Sequence, residues 1–319
     1  MIRDDDLPDA IGPYVVLGRL GDSATAQAEV FEAQDEHGTP VCIKRIHPSV
    51  SENVEFVARF EGEIELAEML EHINIVRVSD HGEDGGHYFV MEWIDGVDLG
   101  GLRRSELGSG RHGILPPGLV AYVGVELCRA LAYVHRSDWT IDDAGQRVRR
   151  RGPVIHSDIS PSNILLSRQG FVKLADFGLA RALGRTGAKT LTQARGKPMF
   201  WAPEQFADQE IGVETDLFAL SLVLWRALIG TQPYAEARPR GTMLNEWIAE
   251  RTTANERRSA VEAAPDAPTT LQRVIEGLLQ PIERRIGSAE ELFETLRPIE
   301  PLDGHAQLAA RVARASGTP

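Results

Sequence analysis

The sequence predicts an α+β protein of two lobes, a small antiparallel-sheet lobe with one helix followed by a larger, mainly helical lobe. Three observations lead there. The chain has 319 residues, about two typical domain lengths, and its 42% hydrophobic and 25% charged content is that of a globular chain with a sizeable core. Its first hundred residues hold β-branched and apolar runs separated by turn formers. Beyond Glu204 helical periodicity dominates.

Taken in order, Tyr14 to Leu20, Ala28 to Ala33 and Val41 to Ile46 read as three antiparallel strands, broken by Gly21-Asp22-Ser23 and by Asp35 to Pro40. Asn53 to Glu71 puts Phe56, Phe60, Ile64, Ala67 and Leu70 on one stripe, the period of an amphipathic helix. Two more strands are expected near Ile75 to Ser79 and His87 to Trp93. From Pro116 to His135 the set Val120, Val123, Leu127, Leu131 and Val134 is helical again, with Pro117 suited to a first turn. The domain reading is an N-terminal extension (1–13), a first lobe (14–93), a second lobe (94–300, with an insertion at about 137–152) and a loosely held tail (301–319).

Composition removes several function classes. Lys plus Arg number 34 against 47 Asp plus Glu, a net charge of −13, which repels nucleic acid and anionic membranes. Cys42 and Cys128 are the only cysteines, too few for a disulfide framework or an unaided zinc site and in keeping with a reducing compartment. The opening MIRDDDLPDA lacks a signal-peptide pattern. Leu217 to Ile229, the most apolar run, contains Arg226 and is shorter than the roughly 20 residues that span a bilayer, so it reads as a core helix. The expectation is a cytoplasmic protein with neither membrane nor nucleic-acid partner.

The chemistry concentrates in His156-Ser157-Asp158-Ile159-Ser160-Pro161-Ser162-Asn163, followed by Asp176-Phe177-Gly178. Phosphoryl transfer needs carboxylate and amide oxygens that hold Mg²⁺ against phosphates, and a carboxylate that receives the acceptor hydroxyl's proton. With Asn163 five residues after Asp158 and Asp176 eighteen after it, the run resembles the catalytic loop and metal-binding motif of the eukaryotic-like protein kinases. The resemblance implies that Asp158 is the base and that Asn163 and Asp176 are metal ligands.

Other segments resemble the same family in the same order. Val41-Cys42-Ile43-Lys44 is similar to the strand whose lysine holds the α- and β-phosphates, and Arg59-Phe60-Glu61-Gly62-Glu63 to the helix that supplies its glutamate partner, implying a Lys44–Glu63 ion pair. Val90-Met91-Glu92-Trp93 resembles the stretch that meets adenine, with Met91 in the gatekeeper slot. Gly21, Ser23, Val30, Cys42 and Leu165 complete the implied ATP-binding set. Trp201-Ala202-Pro203-Glu204 resembles the end of the activation loop, with Arg285 as the partner of Glu204, and Asp216 resembles the buried aspartate that caps the catalytic loop. The match runs from about residue 14 to 297 and implies the bilobal kinase fold, with ATP and Mg²⁺ as cofactors and a protein Ser/Thr hydroxyl as acceptor.

The sequence also departs from that family. The Gly-rich loop keeps Gly21, but it lies nine residues before Val30 instead of seven, and the positions between hold Ser23, Ala24, Thr25, Ala26 and Ala28, small residues that lack glycine's freedom at positive φ. The arginine before the catalytic Asp is Ser157, the lysine two residues after it is Ser160, and the threonine that contacts the base is Lys197. Ser160-Pro161 and the inserted Asp142-Asp143-Ala144-Gly145 are similar to a bacterial branch of the family. Lys197 is the candidate to supply the ammonium lost at position 160. Arg147, Arg149, Arg150 and Arg151 form a basic cluster that could dock an acidic partner.

Two functions follow as expectations. One is an ATP- and Mg²⁺-dependent serine/threonine protein kinase; the alternative is a pseudokinase, a nucleotide-responsive binding or scaffold module. Retention of Lys44, Glu63, Asp158, Asn163 and Asp176 favours the first, since a module that only binds has no need of a base. No Ala-Ala-Arg or Arg-Ala-Ala sequence follows Asp158, which argues against tyrosine specificity.

Overall fold

The computed structural model describes residues 7–20, 28–110, 113–136, 139–142, 149–177, 181–182, 197–207, 209–234, 244–255, 257–285 and 287–317. The chain divides into two compact units, Met1–Ile94 with Thr140–Arg150, and Asp95–Trp139 with Arg151–Pro319.

The first unit is a six-stranded antiparallel sheet with one long helix. It comprises β1 (Ala10–Ile11), β2 (Tyr14–Leu20), β3 (Ala28–Gln34), β4 (Pro40–Ile46), α1 (Val54–Met69), β5 (Val78–Glu83) and β6 (His87–Glu92). The strand order is β1-β2-β3-β4-β6-β5. Alternation along β4 decides what each face does: Val41 and Ile43 join Phe31, Ala33, Tyr88 and Val90 in one core cluster. Ile46 joins Phe56, Phe60, Ile64 and Phe89 in a second, formed by α1 against the sheet. Lys44 shares the α1 side, two residues from Ile46. Asn53 caps α1 by accepting the Phe56 N–H at 3.1 Å, the usual satisfaction of an orphan donor in a first helical turn.

The fifth strand lies later than expected, at Val78–Glu83 instead of Ile75 to Ser79. Ile75 and Val76 are buried in the preceding connection, so their apolar character serves packing and not a pleat. The strand alternates partly buried with exposed residues along VSDHGE, which reads as a turn in sequence. Gly82 is there because a Cβ would come within 2.6 Å of the Tyr88 hydroxyl.

The second unit contains β7 (Gly96–Asp98), α2 (Leu99–Gly108), α3 (Pro117–Val134), β10 (Val154–Ile155), β11 (Ile164–Ser167), β12 (Val172–Leu174), β13 (Arg181–Ala182), α4 (Pro203–Phe206), α5 (Val213–Ile229), α6 (Leu244–Ala254), α7 (Ala260–Ala263), α8 (Thr269–Leu278), α9 (Ala289–Leu296) and α10 (Gly304–Ala315). Between α3 and β10, β8 (Trp139–Asp142) and β9 (Arg149–Gly152) form their own two-stranded sheet. Helix α3 is long and apolar enough to cross a membrane by length and composition, but 72% of that window is buried inside the protein, where it packs on α5 and α9. Gly230 ends α5 at φ 87°, the left-handed cap that glycine takes without strain. The three-stranded sheet β12-β11-β7 carries the catalytic loop on one end of β11.

Two organisational expectations change. The sequence places the insertion in the second lobe, yet Thr140–Arg150 groups with the first unit, while Trp139 and Arg151 at the outer ends of β8 and β9 group with the second. Arg147 lies outside the described residues, and Arg149 to Arg151 are described by their backbone alone. The tail is not loosely held: residues from Gly304 onward form α10, which packs on α2 and α3 with Leu308 and Val312 fully buried. Leu308 and Val312 lie four apart, so one helical stripe does this, and Arg311 Nη1 adds a 2.5 Å ion pair to Glu106.

Candidate active site

The candidate residues fall on both units. In the first, Lys44 Nζ donates to Glu63 Oε1 at 2.5 Å, with only 15% and 8% of the two side chains exposed. The geometry follows from β4 and α1 sharing one apolar seam. Lys44 also lies 5.5 Å from the Phe89 ring centroid, a face that favours a cation. Val30 on β3 is the register partner of Lys44, and Met91 on β6 is that of Cys42. Burial pushes the Cys42 thiol up to about 12, so it is a neutral wall group and not a nucleophile. Glu92 accepts the Arg77 N–H at 2.8 Å through its side chain and donates its own N–H to the Arg77 carbonyl at 3.0 Å; Trp93 follows it outside any strand. Gly21 and Ser23 lie outside the described residues.

In the second unit the catalytic loop is suspended from α5. Asp216 is wholly buried and its carboxylate accepts the N–H groups of His156 and Ser157, each at 2.8 Å, and pairs with His135 Nε2 at 2.8 Å. Ser157 is held at φ 67°, a conformation that costs a non-glycine residue of order 1 kcal/mol or more and persists only where surroundings impose it. Gln205 Nε2 donates to the Ser157 carbonyl at 3.0 Å. Buried Glu204 receives Arg285 through two nitrogens, at 2.7 and 3.2 Å. Arg285 in turn donates to the Glu214 carbonyl at 2.8 Å and lies 4.7 Å from the Phe218 ring centroid.

Within this frame Asp158 is the focus. Asn163 Nδ2 donates to its Oδ2 at 3.0 Å and to its carbonyl at 2.8 Å, while the Lys197 N–H donates to its Oδ1 at 3.2 Å. Among the described residues each carboxylate oxygen thus has one donor and keeps a lone pair. Burial raises the Asp158 pKa above the ordinary carboxylate range; His156 and Lys197 pull it back, and the charge of Asp176 pushes it up again. Lys197 Nζ donates to Ser160 Oγ at 3.1 Å and also to Ser162 Oγ. An ammonium therefore stands beside position 160 although the residue there is serine.

Because an ionised Asp158 only accepts, the Asn163 amide must turn its nitrogen toward it; Oδ1 accepts the Ser162 hydroxyl at 3.4 Å and has a second lone pair to offer a cation. The Ala175 N–H donates to the Asn163 carbonyl at 2.8 Å, tying the two motifs together at the end of the β11–β12 pair, and Asp176 follows at φ 66°. An amide oxygen and a carboxylate are hard donors suited to Mg²⁺. Among the described residues no group of three or more His, Cys, Asp or Glu could hold a metal. Leu165 is half-buried on β11, opposite Asp98 on β7.

Sequence reasoning left His156 without a role. Its Nε2 contacts the Ala175 carbonyl at 3.1 Å, its Nδ1 accepts the Asp158 N–H at 3.2 Å, and its ring packs on Phe177 with centroids 4.6 Å apart. It is the joint between the two motifs, and its place in the run beside Asp158 was the signal for it.

The chain matches the protein kinase domain family over residues 14–295. Among curated proteins it is similar to the tyrosine-protein kinase MasK of Myxococcus xanthus, 34% identical over 269 residues, covering 83% of this chain and 39% of that protein. It is similar to the serine/threonine-protein kinase PknD of Mycobacterium tuberculosis, 35% identical over 226 residues, covering 70% of this chain and 30% of PknD. A probable serine/threonine-protein kinase of Streptomyces coelicolor, SCO3848, is 34% identical over 238 residues, with 72% and 31% covered. The chain thus spans between about three and four tenths of the length of these relatives.

Proposed function

Because the chain belongs to the protein kinase domain family, we propose that it is a serine/threonine protein kinase, transferring the γ-phosphoryl group of ATP, with Mg²⁺, to a protein hydroxyl. The observation that carries the reading is the half-buried Asp158 carboxylate, oriented by Asn163 Nδ2 and the Lys197 N–H with a lone pair left on each oxygen. Such a group is built to take a proton from a hydroxyl. Its raised pKa brings its basicity closer to neutral pH, where a base works best.

The remaining residues have matching tasks. Lys44, fixed by Glu63, offers a cation to the α- and β-phosphates. Asn163 Oδ1 and the Asp176 carboxylate would hold Mg²⁺, which when bound neutralises charge on the phosphate oxygens. Lys197 supplies the ammonium that the family keeps at position 160, held by the two serine hydroxyls; a preorganised cation near developing phosphoryl charge contributes of order 3 kcal/mol. Val30, Cys42, Met91, Glu92, Trp93 and Leu165, with Gly21 and Ser23, make the nucleotide-binding set.

Serine/threonine rather than tyrosine acceptance draws support from PknD and SCO3848 and from the lack of a tyrosine-kinase sequence after Asp158; the name of MasK makes acceptor identity part of the test. Purified protein and its Asp158→Asn variant are incubated with Mg²⁺, labelled ATP and a generic protein substrate, followed by phosphoamino-acid analysis. Label on serine or threonine with the parent only is the expected result. Equal, background labelling of both with retained ATP binding would identify the nucleotide-responsive module instead.

A further inference from the structure

A groove of about 450 Å³ opens beside the catalytic loop within the second unit, in the size range of a side-chain or small-ligand site. Its floor is apolar, from Leu102 on α2, Leu115, Phe200 and Val223 on α5, and one rim is Pro161, Ser162 and Lys197. The groove is therefore continuous with the segment that orients Asp158, and an extended chain advances only about 3.3 Å per residue. Whatever occupies it lies within a few residues of an acceptor hydroxyl at Asp158.

The charge lining it is unusual for a protein with a net charge of −13. Two acids are present, and each is already engaged: Asp98 with Arg104 at 3.5 Å and with the α2 N-terminus, Glu106 with Arg311 at 2.5 Å. Arg103 and Arg226 have no carboxylate partner among the described residues. Arg103 Nη2 donates to the Gly230 carbonyl at 2.6 Å, and its buried Nε has no partner. Arg226 lies over the Phe200 ring at 5.8 Å, and burial, followed by the Arg103 charge, pulls its pKa below the ordinary guanidinium value. Two half-buried guanidinium forks of like charge, neither paired with the groove's two engaged acids, have the chemistry that suits an anion.

We propose that this groove selects protein substrates carrying an acidic or phosphorylated side chain within a few residues of the acceptor, bound by Arg103 and Arg226. The proposal deepens the kinase reading and rests on it for the word substrate, but the binding it describes can be measured without catalysis.

Fluorescent peptides with alanine in place of the acceptor serve as probes: a neutral one, a series with Glu walked through the four positions on each side, and one with phosphoserine at the best Glu position. Anisotropy should show at least one Glu peptide binding about tenfold more tightly than the neutral one, with the advantage shrinking as salt rises. Arg226→Gln and Arg103→Gln should each remove most of that advantage and Arg226→Lys should keep part of it. Should Arg226→Gln fail to fold, as judged by thermal melting, Arg103→Gln and Arg226→Lys carry the comparison. Tighter binding of the phosphopeptide than of the Glu peptide would name a phosphorylated substrate, the reverse an acidic one, and either supports the groove. Equal binding of neutral and acidic peptides, or an acidic preference untouched by the Gln variants, overturns it. Restoring serine separates the two readings: acidic preference without labelling leaves the groove standing and removes the kinase activity, whereas labelling without preference does the opposite.

Discussion

Each unit places a lysine in a site, and the two do it differently. In the first, Lys44 and Glu63 are 19 residues apart and meet because β4 and α1 share an apolar seam; both stand at the motif positions their sequence context names. In the second, the motif positions that should carry charge, 157 and 160, are serines, and the ammonium arrives from Lys197, 37 residues from Ser160. The first unit keeps residue and place together, while the second keeps the place and changes the residue that fills it. A missing motif residue is therefore a statement about one position, and only the folded neighbourhood says whether its charge has gone.

If that comparison is right, the largest loss belongs to the carboxylate that the second unit orients. Asp158→Asn should reduce labelled-phosphate transfer about 10³-fold, within the range for removing a positioned base, and a fall of less than tenfold would remove Asp158 from that role. Next comes the first unit's pair. Glu63→Ala leaves Lys44 mostly buried without its carboxylate, so urea unfolding should show a loss of about 3 kcal/mol, with weaker Mg²⁺-ATP binding by titration calorimetry; unchanged values for both would show that Lys44 works without the pair.

Lys197 should matter less to stability and more to the pH profile. As the proposed base Asp158 would work only when ionised, and its pKa is raised by burial and lowered by Lys197. Turnover therefore falls as pH drops through that raised value, and Lys197→Thr, which removes a lowering charge, should move this acid limb to higher pH. A limb that stays in place in kcat/KM against pH would show that Lys197 does not act on the base. The smallest effect concerns regulation. In family members with arginine at position 157 a loop phosphate has a guanidinium to read it, and Ser157, whose Oγ donates to the Ile155 carbonyl at 3.4 Å, has none to offer. The combined Thr186→Ala, Thr190→Ala, Thr192→Ala variant, at positions outside the described residues, should lose less than tenfold in activity; a larger loss, beyond about 1.4 kcal/mol in barrier, would mean another cation reads a phosphate there.

How much of this was legible in the sequence follows from how local each feature is. Lys44, Glu63, Asp158, Asn163 and Asp176 could be named because each sits in a short run whose spacing is fixed by one strand, one helix or one turn. Helices α3 and α5, buried nearly all round, declared themselves as long apolar runs. Strand β5 did not, because an edge strand with polar residues on its wet face looks like a turn. Helix α10 was mistaken for a loose tail because two buried residues, Leu308 and Val312, make a faint stripe until α2 and α3 are there to receive it. His135 reaching Asp216 across 81 residues, and Arg103 and Arg226 lining one groove from different helices, depend on which faces come together, and no local pattern encodes that.

The transfer of one cation's task from position 160 to position 197 is tested most directly by a double-mutant cycle read in kcat at saturating ATP. Lys197→Thr alone should lower kcat by at least about tenfold, or about 1.4 kcal/mol, with ATP affinity nearly unchanged. Ser160→Lys added to Lys197→Thr should recover much of that loss, and Ser160→Lys alone, which crowds a second ammonium against the first, should bring no gain. A Lys197→Thr enzyme with parental kcat, or a double variant no better than Lys197→Thr, would contradict the account.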